Sequence, residues 1–307
     1  MRVSLKYIFF GLIVLNTSSL FAQQEAMYTQ YMFNTLAINP AYAGSRNVTS
    51  ATALMRSQWT GIKGAPKTQT FTIDAPLKQK KIGLGLQLFG DRIGRTSNTG
   101  VIASYAYRIR MDKASLSFGL QGGVSQFNSN YTAIELDPSG LSVDPAFQNN
   151  TTKILMNFGT GIYYNSDRFY VGLSSPELMN NILPGSSTKL NKEIFHVFLM
   201  SGYVFSLNNT FKLKPSFLIK GVMGAPIEGD VNANLWIKDV FSIGAQYRTN
   251  ADLSGLLEIQ ASPQIRIGYA YDHSTTPLSS YNSGSHEIML RYEFGFQRGK
   301  ILTPRYF

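Results

Sequence analysis

The sequence predicts an all-β chain: a transmembrane up-and-down antiparallel β-barrel of about fourteen strands, with a non-strand segment at its N-terminus. Three observations predict it. The first 22 residues read as an export leader, and no later stretch is a 20-residue apolar helix. From residue 49 onward, segment after segment alternates apolar with small or polar residues. The connections between these segments also follow a parity, the long ones falling only at odd-numbered positions.

The leader is MRVSLKYIFFGLIVLNTSSLFA. Arg2 and Lys6 supply the positive start, Tyr7 to Leu15 the apolar run, and Ser18, Ser19 and Ala22 the approach to a cleavage after Ala22. A run of nine residues is too short to span a bilayer. There is no cysteine, which excludes disulfides, thiolate metal sites, a thiol nucleophile and a lipid-bearing Cys. Removing Arg2 and Lys6 with the leader leaves 26 basic against 18 acidic residues, a net charge of +8. Those charges are scattered, with only Lys78, Lys80 and Lys81 clustered, so no nucleic acid is expected as a partner. Twenty Phe, 17 Tyr and 27 Gly with 15% charged residues suit a sheet closed on itself in lipid.

The strands read at 49–57, 67–75, 81–90, 98–110, 114–127, 153–165, 168–174, 194–206, 211–222, 229–238, 240–249, 254–262, 264–272 and 284–296. In the third, Ile82, Leu84, Leu86 and Leu88 share one face, with Gly83, Gly85 and Gln87 on the other. In the fifth, Leu116, Phe118, Leu120 and Val124 oppose Ser117, Gly119, Gln121 and Gly123. In the last, Ile288, Leu290, Tyr292, Phe294 and Phe296 oppose Glu287, Met289, Arg291, Glu293 and Gly295. Lipid outside and a polar lumen account for this; a soluble sandwich would alternate too. Parity separates the two. The even connections (76–80, 111–113, 166–167, 207–210, 239, 263) are all short, and the long ones (58–66, 91–97, 128–152, 175–193, 273–283) are all odd. Tight periplasmic turns and long outer loops give this pattern, with both termini on the periplasmic side. The domains are then a leader at 1–22, a plug or periplasmic segment at 23–48, a barrel at 49–296 and a tail at 297–307. Glu287 and Arg291 are expected to face the lumen as a pair. Trp59, Tyr105, Tyr107, Tyr163, Tyr164, Phe169, Tyr170, Tyr269 and Tyr271 are expected in the interfacial girdle.

The segment before the first strand carries FNTLAINPAYAGS. Asn39 followed by Pro40 is a helix start, Ala41 to Ala43 allow one turn, and Gly44 can end it in the left-handed conformation. Met27, Tyr31, Asn34 and Ile38 add a weak stripe at helical spacing. A single turn is not stable alone, so Tyr31, Phe33, Leu36 and Tyr42 must pack on the chain's own barrel or on a partner.

These residues resemble the N-terminal signature of the PorP/SprF family. It comprises Gln30-Tyr31, Phe33-Asn34 and Asn39-Pro40-Ala41-Tyr42-Ala43-Gly44. The resemblance continues through Arg56-Ser57-Gln58-Trp59-Thr60-Gly61, Gly64-Ala65-Pro66-Lys67-Thr68, Asp91-Arg92-Ile93-Gly94 and Gly172-Leu173-Ser174-Ser175-Pro176. It reaches Asp230-Val231-Asn232-Ala233, Gly284-Ser285-His286-Glu287-Ile288 and Pro304-Arg305-Tyr306-Phe307. It implies a non-enzymatic outer-membrane barrel of the type IX secretion and gliding machinery of Bacteroidetes, without cofactors. The implied partners are outer-membrane lipid, periplasmic ring or lipoprotein components, and the C-terminal domain of an exported adhesin. The residues expected to meet a partner are Tyr31, Phe33, Asn34, Asn39, Pro40, Tyr42, Gly44 and Trp59. A passive pore or small-molecule transporter is the alternative.

Other chemistry is poorly supported. His286-Glu287 opens like H-E-x-x-H, but position 290 is Leu and the stretch reads as a strand. Asp272-His273-Ser274 are consecutive and cannot converge as a triad. A lipase would need His196 and Ser216 to meet across strands. Glu135, Asp137 and Asp144 in 128–152 could offer oxygens to calcium, without EF-hand spacing. Ser175 to Ile182 could open a short helix. These two long connections face outward, either toward an exported partner or simply toward solvent. No catalytic, metal or cofactor residue is assigned.

Overall fold

The structure, a computed structural model, describes residues 28–77, 80–130, 150–178, 196–222 and 225–294. Its strands are β1 Ser50–Ser57, β2 Lys67–Leu77, β3 Ile82–Ile93, β4 Thr96–Arg110, β5 Ala114–Ser129, β6 Thr151–Ser166, β7 Phe169–Ser175, β8 His196–Tyr203, β9 Phe205–Ser206, β10 Phe211–Val222, β11 Glu228–Ile237, β12 Phe241–Arg248, β13 Asp252–Gln260, β14 Ile265–Ser274 and β15 Ser285–Glu293. The two residues of β9 continue β8 past Val204 along the same neighbour, β10. The wall therefore has fourteen staves, each antiparallel to the next. It closes where β15 pairs β1, from Ser50 opposite Glu293 to Ser57 opposite His286. Among the described residues every stave thus has a ladder neighbour on both sides, as a barrel needs to satisfy its backbone inside a bilayer.

All fourteen expected strands are present, shifted at their ends by a few residues. The largest difference lies at 91–97. There β3 and β4 continue through polar Asp91, Arg92, Ser97 and Asn98, leaving only Gly94 and Arg95 as the turn. Polar residues do not end a strand once it rises past the lipid, because each backbone group still finds its ladder partner. The even connections remain short, from two residues (Asp167, Arg168) to four. Outer connections pin one another: the Thr60 amide donates to the Gly284 carbonyl at 2.8 Å, and Gly94 to Gly64 at 2.8 Å. Ser175 ends β7 instead of capping a helix. Pro176 to Leu178 are not helical either; the remainder of that expected helix, and Glu135, Asp137 and Asp144, lie outside the described residues.

The alternation resolves into a greasy exterior and a polar interior. Leu84, Leu86, Leu88, Phe118, Leu120, Val124, Ile288, Leu290 and Tyr292 are exposed, whereas Gln87, Ser117, Gln121, Glu287, Arg291 and Glu293 are buried. Leu120 sits near the middle of this band and is 63% exposed. Leu120→Arg is expected to cost about 2–4 kcal/mol, as a charge does at the midplane of a barrel. Urea unfolding in lipid vesicles measures it; a loss below about 0.5 kcal/mol, typical of ordinary surface sites, would deny that this face touches lipid. Tyr105, Tyr107, Tyr269 and Tyr271 face outward as expected of a girdle. Tyr163 and Tyr170 do not: both are buried, facing inward. Tyr163 and Tyr164 are adjacent on one strand, so they cannot share a face.

Candidate functional site

The lumen is occupied by the chain's own residues 28–47. They form three successive 3-10 turns, Tyr31–Phe33, Thr35–Ala37 and Pro40–Tyr42, instead of an amphipathic α-helix. Asn39 caps the third turn: its Oδ1 accepts from the Ala41 amide at 2.9 Å, and Pro40 takes the first position. Gly44 follows at φ +68°. Its amide donates to Asp74 Oδ2 at 2.7 Å.

Wall glycines make room for this block. A Cβ on Gly83 would stand 1.8 Å from the Ala43 carbonyl oxygen, one on Gly119 2.1 Å from the Ala41 nitrogen, and one on Gly161 2.2 Å from Asn39 Oδ1. Asn39 Nδ2 donates to the Ile162 carbonyl at 3.0 Å, and Ser174 Oγ to the Ile38 carbonyl at 2.9 Å. Tyr42 meets Tyr163 edge-on with centroids 5.5 Å apart, and Tyr163 leans on Tyr170. The inward turn of these two tyrosines is thus explained by the segment they pack against.

Charge and hydrogen bonds hold the rest. Glu287 accepts from the Thr29 amide at 2.9 Å and the Gln30 amide at 2.8 Å. Arg56 Nη1 reaches Asp272 Oδ2 at 2.6 Å, Thr29 Oγ1 at 2.7 Å and Glu287 Oε2 at 3.2 Å. The expected Glu287–Arg291 pair is therefore corrected. Arg56 lies directly opposite Glu287 across the β1–β15 ladder, while Arg291 is four residues along the same strand, about 13 Å away. Arg291 instead donates to Thr52 Oγ1 at 3.2 Å and to the Phe33 carbonyl. Arg248 grips Asp230 with two bonds, at 2.8 and 3.0 Å, and also donates to the Tyr28 carbonyl. Arg108 donates to the Ala43 carbonyl and to Asn47 Oδ1, both at 3.1 Å. Asn232 donates to the Tyr31 hydroxyl at 2.9 Å, and Thr72 to Asn34 Oδ1 at 3.0 Å. Burial pushes the Tyr31 phenol well above its ordinary pKa, so it stays neutral. Burial disfavours the charge on Arg46, but Glu293 at 2.7 Å and Tyr42 more than offset it and raise its pKa.

Seven of the eight residues expected to meet a partner, from Tyr31 to Gly44, come together here and are buried against the wall. Trp59 stands apart in the connection after β1, at φ +45°, with its amide donating to Ser285 Oγ at 3.2 Å. Tyr28 to Gln30 lie beside Arg56, Asp272 and Glu287, toward the outer ends of β1, β14 and β15. The described segment thus runs from beside Arg56 and Glu287 to the start of β1 at Ser50, the opposite end of that strand. Sequence reasoning missed Arg56, Asp272, Arg248, Asp230, Asp74 and Arg108 as the residues that hold the segment. Their inward phase on the strands was the available signal.

A family model described as "Type IX secretion system membrane protein PorP/SprF" matches residues 20–292. The chain belongs to the PorP/SprF family. With its closed barrel, this PorP/SprF chain is an outer-membrane component of type IX secretion. No curated protein matches it. Among solved structures it is similar to the CymD monoaromatic hydrocarbon channel, at 13% identity and TM-score 0.49, over 88% of this chain and 94% of that one. It is also similar to the Acinetobacter baumannii outer membrane protein Omp33, at 9% identity and TM-score 0.46, over 81% and 99% of the two chains. A Pseudomonas aeruginosa FadL homologue follows at 12% and 0.44, over 86% and 94%. Likenesses this distant carry nothing about a ligand.

The hydrolase arrangement fails on register. His196 is opposite Val222 and Ser216 opposite Gly202, so the two lie six residues apart along β10, about 20 Å. Ser216 instead donates to Asn232 Oδ1 at 2.8 Å. A serine-reactive fluorophosphonate is expected to label the purified protein no more than its Ser216→Ala variant; labelling lost in that variant and in His196→Ala would contradict this.

Proposed function

We propose that this PorP/SprF barrel works by gripping other proteins, without catalysis and without conducting solutes. Its periplasmic side engages a ring or lipoprotein component of the type IX machinery. Through the C-terminal domain of a surface adhesin it supports that adhesin's export and anchoring, in secretion or in gliding. In this reading residues 1–22 are removed as a leader, residues 23–48 are a plug, and residues 49–296 are the barrel that carries it. The Tyr31–Gly44 block is then what a partner displaces or senses from below, and Trp59 belongs to the outer surface that meets cargo.

The observation that carries the reading is the filled lumen. Turns built on Pro40 and Gly44 occupy the lumen at that level, seated on wall glycines and tied by buried Arg56, Arg248 and Arg291. The buried ion pairs that hold this block in place favour a retained plug over an open passive pore.

Extraction from outer membranes in mild detergent, followed by chemical cross-linking and mass spectrometry, tests the proposal. The expected result is a set of cross-links to a periplasmic secretion component and to an exported protein's C-terminal domain. Recovery of neither would overturn it.

A further inference from the structure

The outward face of β3 to β6 can be followed row by row from the strand register. The lowest row is Ile109, Leu116 and Tyr164; above it come Tyr107, Phe118 and Ile162, then Tyr105, Leu120 and Thr160. Each row is two residues further toward the outer connections, a rise of about 5 Å for strands tilted near 40°. Five such steps lead to Thr99, Gln126 and Ile154, about 25 Å up, which is the height of the lipid-facing band of an outer-membrane barrel. One step beyond, the row becomes wholly polar: Arg92, Ser97, Asn128 and Thr152. Arg95 stands just above it in the turn between β3 and β4.

A cavity of about 380 Å³ straddles these strand ends. Both arginines line it, and no acidic side chain does among the described residues. Neither guanidinium has an ion-pair or hydrogen-bond partner among those residues, and both are exposed. Thr152 Oγ1 donates to Asn128 Oδ1 at 2.9 Å, which leaves the Asn128 amide to offer its N–H₂. The site is thus rich in donors and positive, and its outward members point to the bilayer side at the level where headgroups begin. Guanidinium forks suit phosphate oxygens in geometry and charge.

We propose that this rim site binds a phosphate group of an outer-leaflet glycolipid. The inference does not depend on which secretion partner the barrel grips. It commits to lipid because Arg92, Ser97, Asn128 and Thr152 share the face of the acyl-contacting rows below them, where a lipid already anchored by its chains presents its phosphate.

Native mass spectrometry of the intact protein in mild detergent tests it, with purified phosphorylated lipid A and the same lipid dephosphorylated as probes. Phosphorylated lipid A is expected to bind about tenfold more tightly than the dephosphorylated form, the size of one charge-assisted hydrogen bond. R92Q/R95Q is expected to lose that preference, and R92K/R95K, which keeps both charges, to retain most of it. Heat-modified gel mobility should be unchanged in both variants, since neither arginine holds another described side chain. Equal binding of the two lipids, or an unchanged preference in R92Q/R95Q, would overturn the proposal. So would displacement of the lipid by millimolar inorganic phosphate, which would assign the site to a soluble anion.

Discussion

Gly119→Val is expected to turn a silent barrel into a conducting one. The wild-type protein should show no steady channel in a planar bilayer, because residues 28–47 fill the lumen. At Gly119 a Cβ would lie 2.1 Å from the Ala41 nitrogen and 2.5 Å from both Ala41 Cα and the Pro40 carbonyl carbon. Those neighbours are backbone, in a turn whose geometry is set by Pro40 and the Asn39 cap, so no side-chain rotation relieves the clash. The wall cannot give either, since β5 is laddered on both sides through Ala106 and Gly161. What moves is the segment, and with it the seal. Gly161→Val should behave alike, through its approach to Asn39. A valine variant that stays silent, or a wild-type barrel that conducts as well as the variant, would contradict the seal.

Arg56→Ala is expected to destabilise the barrel by about 3–5 kcal/mol, the usual cost of stripping one partner from a buried ion cluster. Arg56 is buried and bridges Asp272 at 2.6 Å, Glu287 at 3.2 Å and the Thr29 hydroxyl at 2.7 Å. Without it two buried carboxylates face each other with no cation between them, and both hold the start of the inner segment. Urea unfolding in lipid vesicles reads the loss. The double variant Arg56→Ala/Glu287→Gln should recover part of it, because one uncompensated charge is removed. A single-variant loss under about 1 kcal/mol, the scale of an exposed pair, would show that the cluster is not the latch described.

Much of the fold was legible because a barrel writes itself in period two. Leu84, Leu86 and Leu88, or Ile288, Leu290 and Tyr292, can serve only one face, and the parity of the connections chose lipid over a second sheet. The Asn39-Pro40 start and the Gly44 stop were legible for a local reason: a cap needs only its own neighbours. The lumen was not. Arg56 and Glu287 are 231 residues apart and become neighbours only through the register of the closing ladder. Sequence spacing suggested Arg291 for that role because it lies near on the strand, yet four residues of extended chain separate the two beyond contact. Tyr163 and Tyr170 were misplaced for a related reason, as nothing local says that an aromatic facing inward will find Tyr42 to pack against.

The central claim is that the N-terminal segment lies inside its own barrel, and a disulfide tests it most directly. The natural chain has no cysteine, so an introduced pair reports without background. Thr72 and Asn34 touch through a 3.0 Å hydrogen bond across the lumen. With Asn34→Cys and Thr72→Cys together, mild oxidation of outer membranes should give nearly complete cross-linking, read as a shifted tryptic peptide by mass spectrometry, while each single variant stays a buried, unreactive thiol. Two thiols that remain reduced and react freely with maleimide would place the segment elsewhere and contradict the account.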